Sequence, residues 1–84
     1  MDYQLTEHAQ ESLRKRSRIR IEWIEQVIQE PEKVESDRVD PDLEHRLGCV
    51  QAYGNRVLRV VIKKDTNPLR IIPFYFDRKM RNQL

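Results

Sequence analysis

The sequence predicts an α+β domain, two N-terminal helices packed on one face of a three- to four-stranded antiparallel sheet. Three observations carry this expectation. Apolar residues recur at helical spacing through the first thirty positions and stop at Pro31. Two strand-like segments flank Gly54-Asn55, and a third, Leu69–Phe76, alternates in the same manner. With 84 residues the chain reads as one domain spanning residues 1–84. A chain of this size buries only roughly 60–65% of the surface its unfolded form exposes, so one layer of helix on sheet must supply the core.

Tyr3–Leu5 reads as a short first strand. Thr6 is a fair N-cap for a helix reaching about Arg16, with Leu5, Ala9 and Leu13 as its inner stripe. The exit, Arg14-Lys15-Arg16-Ser17-Arg18, places positive charge where the helix dipole favours it, which is a structural explanation in itself. A second helix begins near Arg20. Ile21, Ile24, Val27 and Ile28 form its inner stripe, Trp23 flanks them as a core-packing residue, and Pro31 ends it. Lys33–Asp37 reads as a weak edge strand, and Asp40-Pro41-Asp42 as a turn in an acidic stretch that blunts edge-to-edge aggregation.

The segments Glu44–Tyr53 and Arg56–Lys63 form a hairpin if Gly54-Asn55 is a two-residue turn. That register sets Tyr53 against Arg56, Cys49 against Val60 and Leu47 against Ile62 on a core face, which also takes His45 by parity. The opposite face then pairs Val50 with Arg59, Gly48 with Val61 and Arg46 with Lys63. Like charges directly across a ladder are destabilising, so this open face is expected to receive an anion. In the last strand Ile72, Phe74 and Phe76 are expected in the core. Tyr75 and Asp77 then lie among the cations, Arg78, Lys79 and Arg81 extend the charge, and Pro73 marks an edge position or a bulge.

Charge is divided along the chain. Residues 1–45 hold 12 acids and 7 bases, a net of −5, whereas residues 46–84 hold 2 acids and 9 bases, a net of +7. The total of +2 conceals this field. Cys49 is the single cysteine, which excludes an internal disulfide and a two-cysteine zinc site. The first eight residues lack the basic lead and apolar run of a signal peptide, and the apolar runs at Val60–Ile62 and Ile71–Phe76 are far short of a membrane span. The expected location is the cytoplasm, with no membrane partner.

Gly48 and Gly54 alone make no phosphate loop, no paired carboxylates sit in an apolar segment, and two histidines give no metal pair at helical spacing. No cofactor and no metal are expected. The chemistry left is phosphodiester chemistry in which RNA supplies its own 2′-OH as nucleophile. The protein then supplies a base, cations for the developing pentavalent phosphate, and an acid for the departing oxygen. Arg46, Arg59 and Arg78 suit the cation role, with Lys63, Lys79 and Arg81 as further phosphate contacts. Tyr75 suits stacking or proton donation, and His45, His8 or Asp77 suits the acid or base. Each histidine also has a structural reading, as does Asp77-Arg78 as a local ion pair.

The succession Thr6-Glu7-His8-Ala9, Glu22-Trp23-Ile24-Glu25-Gln26-Val27-Ile28 closed by Pro31-Glu32, Leu43-Glu44-His45-Arg46, Arg56-Val57-Leu58-Arg59-Val60-Val61 and Phe76-Asp77-Arg78 resembles a bacterial domain family of unknown function. Its members look like the RelE, ParE and BrnT type toxins of toxin–antitoxin systems. The resemblance covers nearly the whole chain. It implies a RelE-like fold, a partner antitoxin encoded by an adjacent gene, and RNA as target, on the ribosome in the RelE type. Carried over by position, it favours Arg46, Arg59, Tyr75 and Arg78. The leading expectation is a toxin-like endoribonuclease or RNA-binding module that uses a basic sheet face. The alternatives are a catalytically silent nucleic-acid- or protein-binding domain of the same fold, and a toxin-fold protein that poisons an enzyme.

Overall fold

The computed structural model describes residues 3–15, 18–64, 66 and 69–84. Its elements run β1 (Tyr3–Leu5), α1 (Glu7–Lys15), α2 (Ile21–Gln29), β2 (Lys33–Ser36), β3 (Leu43–Val50), β4 (Arg56–Lys63) and β5 (Leu69–Phe76), with short 3-10 turns at Gln51–Tyr53 and Arg78–Met80. Arg16, the expected end of α1, lies outside the described residues, as do Asp65, Asn67 and Pro68 of the β4–β5 loop.

Local chemistry marks the start of α1 and the end of α2. The Thr6 hydroxyl accepts from the Ala9 amide at 3.2 Å and caps α1. In α2, Ile24, Val27 and Ile28 are buried against the sheet, and the Glu30 amide closes on the Gln26 carbonyl just before Pro31. Ala9, Ile19, Ile24, Val27 and Ile28 join Val50, Leu58, Val60, Ile62, Ile71 and Phe74 in one core, so both helices cover the same sheet face.

The expected sheet of three or four antiparallel strands is corrected to five strands in a mixed sheet, ordered β1-β5-β4-β3-β2. Tyr3, Gln4 and Leu5 pair in parallel with Leu69, Arg70 and Ile71, while every other pair is antiparallel. The fold remains α+β. β1 lies beside β5 because Thr6 continues the ladder, its amide donating to the Ile71 carbonyl at 3.2 Å. The Tyr3 hydroxyl donates to Glu25 of α2 at 2.6 Å, pinning the edge strand to the helix layer.

The hairpin register also differs from the expectation. Val50 pairs with Arg56 and Arg46 with Val60, so β3 is displaced by three residues from the alignment of Arg46 with Lys63. The physical reason is the turn. Gln51–Tyr53 leaves the ladder as a 3-10 turn before Gly54 and Asn55, which adopt left-handed φ of 65° and 57°. An odd displacement inverts the side-chain parity of β3. Arg46, Gly48 and Val50 therefore face the helices, whereas His45, Leu47 and Cys49 take the open face.

Gly48 fits this inversion. A Cβ there would come within 3.0 Å of Val27 Cγ2, so the glycine lets α2 approach β3 closely. β4 has the expected parity, with Leu58, Val60 and Ile62 inward and Arg59, Val61 and Lys63 outward. Phe74 and Phe76 face inward as expected, but Ile71 replaces Ile72 in the core. Between Val60 and Ile62 the pairing with β5 shifts by one residue, a bulge at Ile72-Pro73 where the missing proline N–H costs no ladder bond.

Candidate functional site

Arg59 stands at the centre of the open face, paired with Leu47 on one side and Tyr75 on the other. Its side chain is only 12% exposed. Asp77 accepts from Arg59 Nε at 2.9 Å and contacts Nη2 at 2.8 Å, while Glu35 accepts from Nη1 at 3.0 Å. The same Nη1 donates to His45 Nδ1 at 2.9 Å. That bond fixes the tautomer, because a nitrogen accepting from arginine carries no proton, so Nε2 carries it and donates to Asp37 Oδ1 at 2.7 Å. The other oxygen of Asp37 accepts from the Val39 and Asp40 amides at 3.1 and 2.9 Å.

Electrostatics follow this chain of bonds. The Asp40 amide, His45 and the Val39 amide hold the Asp37 carboxyl down at about 2. The Arg59 hydrogen bond is the main cause of the lowered Glu35 pKa. Burial alone would lower the Arg59 pKa, but the bonds to Asp77 and Glu35 outweigh it and raise the pKa. Lys33 lies 3.5 Å from Glu35. Asp37, Glu35 and Asp77 thus outnumber Arg59 and Lys33, and with a neutral imidazole the cluster carries about one net negative charge.

The structure brings His45, Arg59, Tyr75 and Asp77 together on one face. It does not bring Arg46 to them. Arg46 lies on the helix side, where Nη1 donates to the Ile28 carbonyl at 2.7 Å and Nε to Glu44 at 2.8 Å. It serves the carboxyl end of α2, where unpaired carbonyls favour a cation. Lys63 stays on the open face beside Leu43 and Arg70. His8 is exposed on α1. The expected crowding of Arg46, Arg59 and Lys63 on one side is therefore corrected by the register, and Arg59 is held by carboxylates.

Cations without such partners gather instead at one end of the sheet. There the carboxyl end of α1, the turn before α2, the β3–β4 loop and the end of β5 converge. A cleft of about 320 Å³ is lined by Lys15, Arg18, Ile19, Tyr53, Arg56, Phe76 and Arg78. An adjoining recess of about 400 Å³ shares Arg56, Phe76 and Arg78 and adds Arg81. Among the described residues, Arg18, Arg56, Arg78 and Arg81 form no ion pair with a carboxylate, whereas Lys15 pairs with Glu11 at 3.1 Å. Asp77 borders the recess, but its oxygens already serve Arg59 and the Lys79 amide.

Aromatic rings stand among these cations. Tyr53 stacks on Phe76 with centroids 5.2 Å apart, and Trp23 lies 5.8 Å from Tyr53 and 6.5 Å from Phe76. The Arg56 guanidinium sits 4.9 Å above the Tyr53 ring, and Arg18 donates to the Tyr53 hydroxyl at 3.3 Å. Arg78 and Arg81 belong to the expected phosphate-binding set. Arg18, Tyr53 and Arg56 do not, because only the tertiary fold brings Arg18 against a residue 35 positions away. The signal that existed was the run of bases leaving α1, which the helix dipole explained equally well.

No curated protein and no solved structure matches the chain. A family match does cover residues 5–76 of the 84, from β1 to the end of β5. The chain belongs to DUF4258, a domain family of unknown function.

Proposed function

We propose that this domain binds nucleic acid, RNA in the first instance, through the basic end of its sheet. The observation that carries the reading is the convergence of Arg18, Arg56, Arg78 and Arg81, from three separate segments, around clefts in which no described carboxylate pairs with them. Arginine presents a fixed fork of donors that matches phosphate oxygens, and clustered cations release condensed counterions on binding. Lys79, beside Arg78 in the same turn, is a further contact for the strand.

Binding is favoured over cleavage by the state of His45. Both of its ring nitrogens are committed, one to Arg59 and one to Asp37, which leaves no free lone pair to abstract a 2′-OH proton. The negative cluster around Arg59 also disfavours a phosphate there. Among the expected readings, the catalytically silent nucleic-acid-binding domain thus accounts best for the geometry. The likeness to RelE-type toxins enters at the same level, as a reason to look first at RNA and at a protein partner encoded nearby.

Fluorescence anisotropy of a labelled RNA across a salt series tests this. The logarithm of affinity is expected to fall linearly with the logarithm of salt, by about 0.7 per phosphate contacted on a single strand. Arg56→Gln and Arg78→Gln should each weaken binding and reduce the slope. Binding with no salt dependence, or unchanged slopes in both variants, would overturn the proposal.

A further inference from the structure

We infer that the cleft bounded by Arg18, Tyr53, Arg56, Phe76 and Arg78 takes one unstacked nucleobase together with its phosphate, so that the domain selects single-stranded over duplex nucleic acid. The inference rests on the reading above and specifies its ligand. Four observations support it. The cleft measures about 320 Å³, at the small end of the range of about 300–1,000 Å³ over which ligand sites fall, which suits one nucleotide. Part of its wall is aromatic, since Tyr53 and Phe76 line it while only half-buried in the core beneath.

The cations stand around this aromatic wall. Arg18 and Arg56 are tied to Tyr53 itself, one through the hydroxyl and one through the ring face, and Arg78 joins them from the end of β5. The Tyr53 hydroxyl accepts from Arg18, which leaves its own hydrogen to donate to a base edge or a phosphate oxygen. A pure phosphate site has no need of an aromatic ring beneath its guanidinium. A base that takes the place of the Arg56 guanidinium on the Tyr53 ring, with that exposed side chain turning to cover it, uses both halves of the cleft. Bases within a duplex are already stacked on both faces and have no ring surface to offer.

Trp23, 5.8 Å from Tyr53, makes the protein its own reporter. It is the only tryptophan in the sequence, so any change in its emission reports on this region. Adenosine monophosphate is expected to change Trp23 fluorescence in a saturable manner, whereas ribose 5-phosphate, which lacks the base, should leave it unaltered. In anisotropy measurements, a single-stranded oligonucleotide should bind at least about fivefold more tightly than a duplex of equal length, the preference that one base–aromatic stack supports. Tyr53→Leu should remove that preference while binding of inorganic polyphosphate persists. Arg56→Gln, at an exposed position, should weaken both ligands and guards against a folding defect in the tyrosine variant.

Equal binding of single strand, duplex and polyphosphate, with no Trp23 response to the nucleotide, would overturn the base cleft and leave the wider binding proposal standing. Absence of binding by all three would overturn both. A single-strand preference that survives in Tyr53→Leu would place the base elsewhere and also overturn the inference.

Discussion

Replacing Arg59 with methionine removes the guanidinium while retaining an unbranched side chain over the same stretch of sheet. Asp77, with 14% of its side chain exposed, then loses contacts of 2.9 and 2.8 Å, Glu35 loses one of 3.0 Å, and His45 Nδ1 loses its donor. Removing one partner of a fully buried ion pair costs about 3–5 kcal/mol, because the remaining charge stays uncompensated. Two features reduce this figure. Glu35 is 35% exposed and keeps Lys33, and Asp77 still accepts from the Lys79 amide. The expected loss is about 2–3 kcal/mol, which in a domain of this size lowers the melting temperature by roughly 10–20 °C.

Circular dichroism melts and urea titrations at neutral pH measure the loss. Arg59→Met/Asp77→Leu should lose less than the single change, because it removes the stranded carboxylate. RNA affinity, measured at a temperature where the variant is folded, should stay within about twofold of the parent, since no phosphate contact is lost. A melting temperature lowered by less than about 3 °C would refute the structural account of Arg59. So would a loss of RNA affinity as large as that of Arg78→Gln.

The remaining predictions concern pH and packing. The Asp37 pKa is depressed from 3.8 to about 2 in the folded protein, so its stabilisation is present above the unfolded value and lost as pH falls through that interval. Asp37→Asn should flatten this part of the acid limb in melts recorded against pH, and an unchanged limb would contradict the assignment. The Tyr3 pKa is pushed up from 10.0 to about 12 by burial and by the bond to Glu25, so its stabilisation is present below pH 10 and lost as pH rises from there to about 12. Tyr3→Phe should remove that alkaline limb and cost about 1 kcal/mol at neutral pH. Gly48→Ala should destabilise by about 1–2 kcal/mol through contact with Val27, and a stabilised variant would show that the helix layer yields.

Much of the fold was legible because local signals were strong. The 3.6-residue stripe of α2 and its stop at Pro31, the Thr6 cap and the span of β4 all follow from short-range chemistry. The bulge at Pro73 follows from its missing donor. The register of β3 did not, since Gly54-Asn55 suggested a two-residue turn while Gln51–Tyr53 also left the ladder. One odd shift carried Arg46 to the helix side and His45 to the open face. The parallel β1–β5 pair joins segments more than sixty residues apart, and nothing local announces it.

The open face illustrates the limit on reading function from charge. Arg59 lies there by the parity of β4, but its partners come from β2, from β3 and from the end of β5. The acidic stretch of residues 30–44, expected as a blunted edge, supplies Glu35 to the arginine and Asp37 to His45, and Asp77 supplies the second carboxylate. Arg18 and Arg56 were unremarkable in sequence and became site candidates once the hairpin tip met the turn before α2. Arg78 and Arg81, expected among the phosphate contacts, line the recess at the end of the sheet.

The most direct test of the account is a titration of RNA into the isotopically labelled protein, following the arginine Nε–H signals by NMR. The account predicts progressive shifts for Arg18, Arg56, Arg78 and Arg81, with Arg46 and Arg59 unmoved in their carboxylate and carbonyl cages. Shifts concentrated on Arg59 and the His45 ring, with the sheet-end arginines silent, would contradict it.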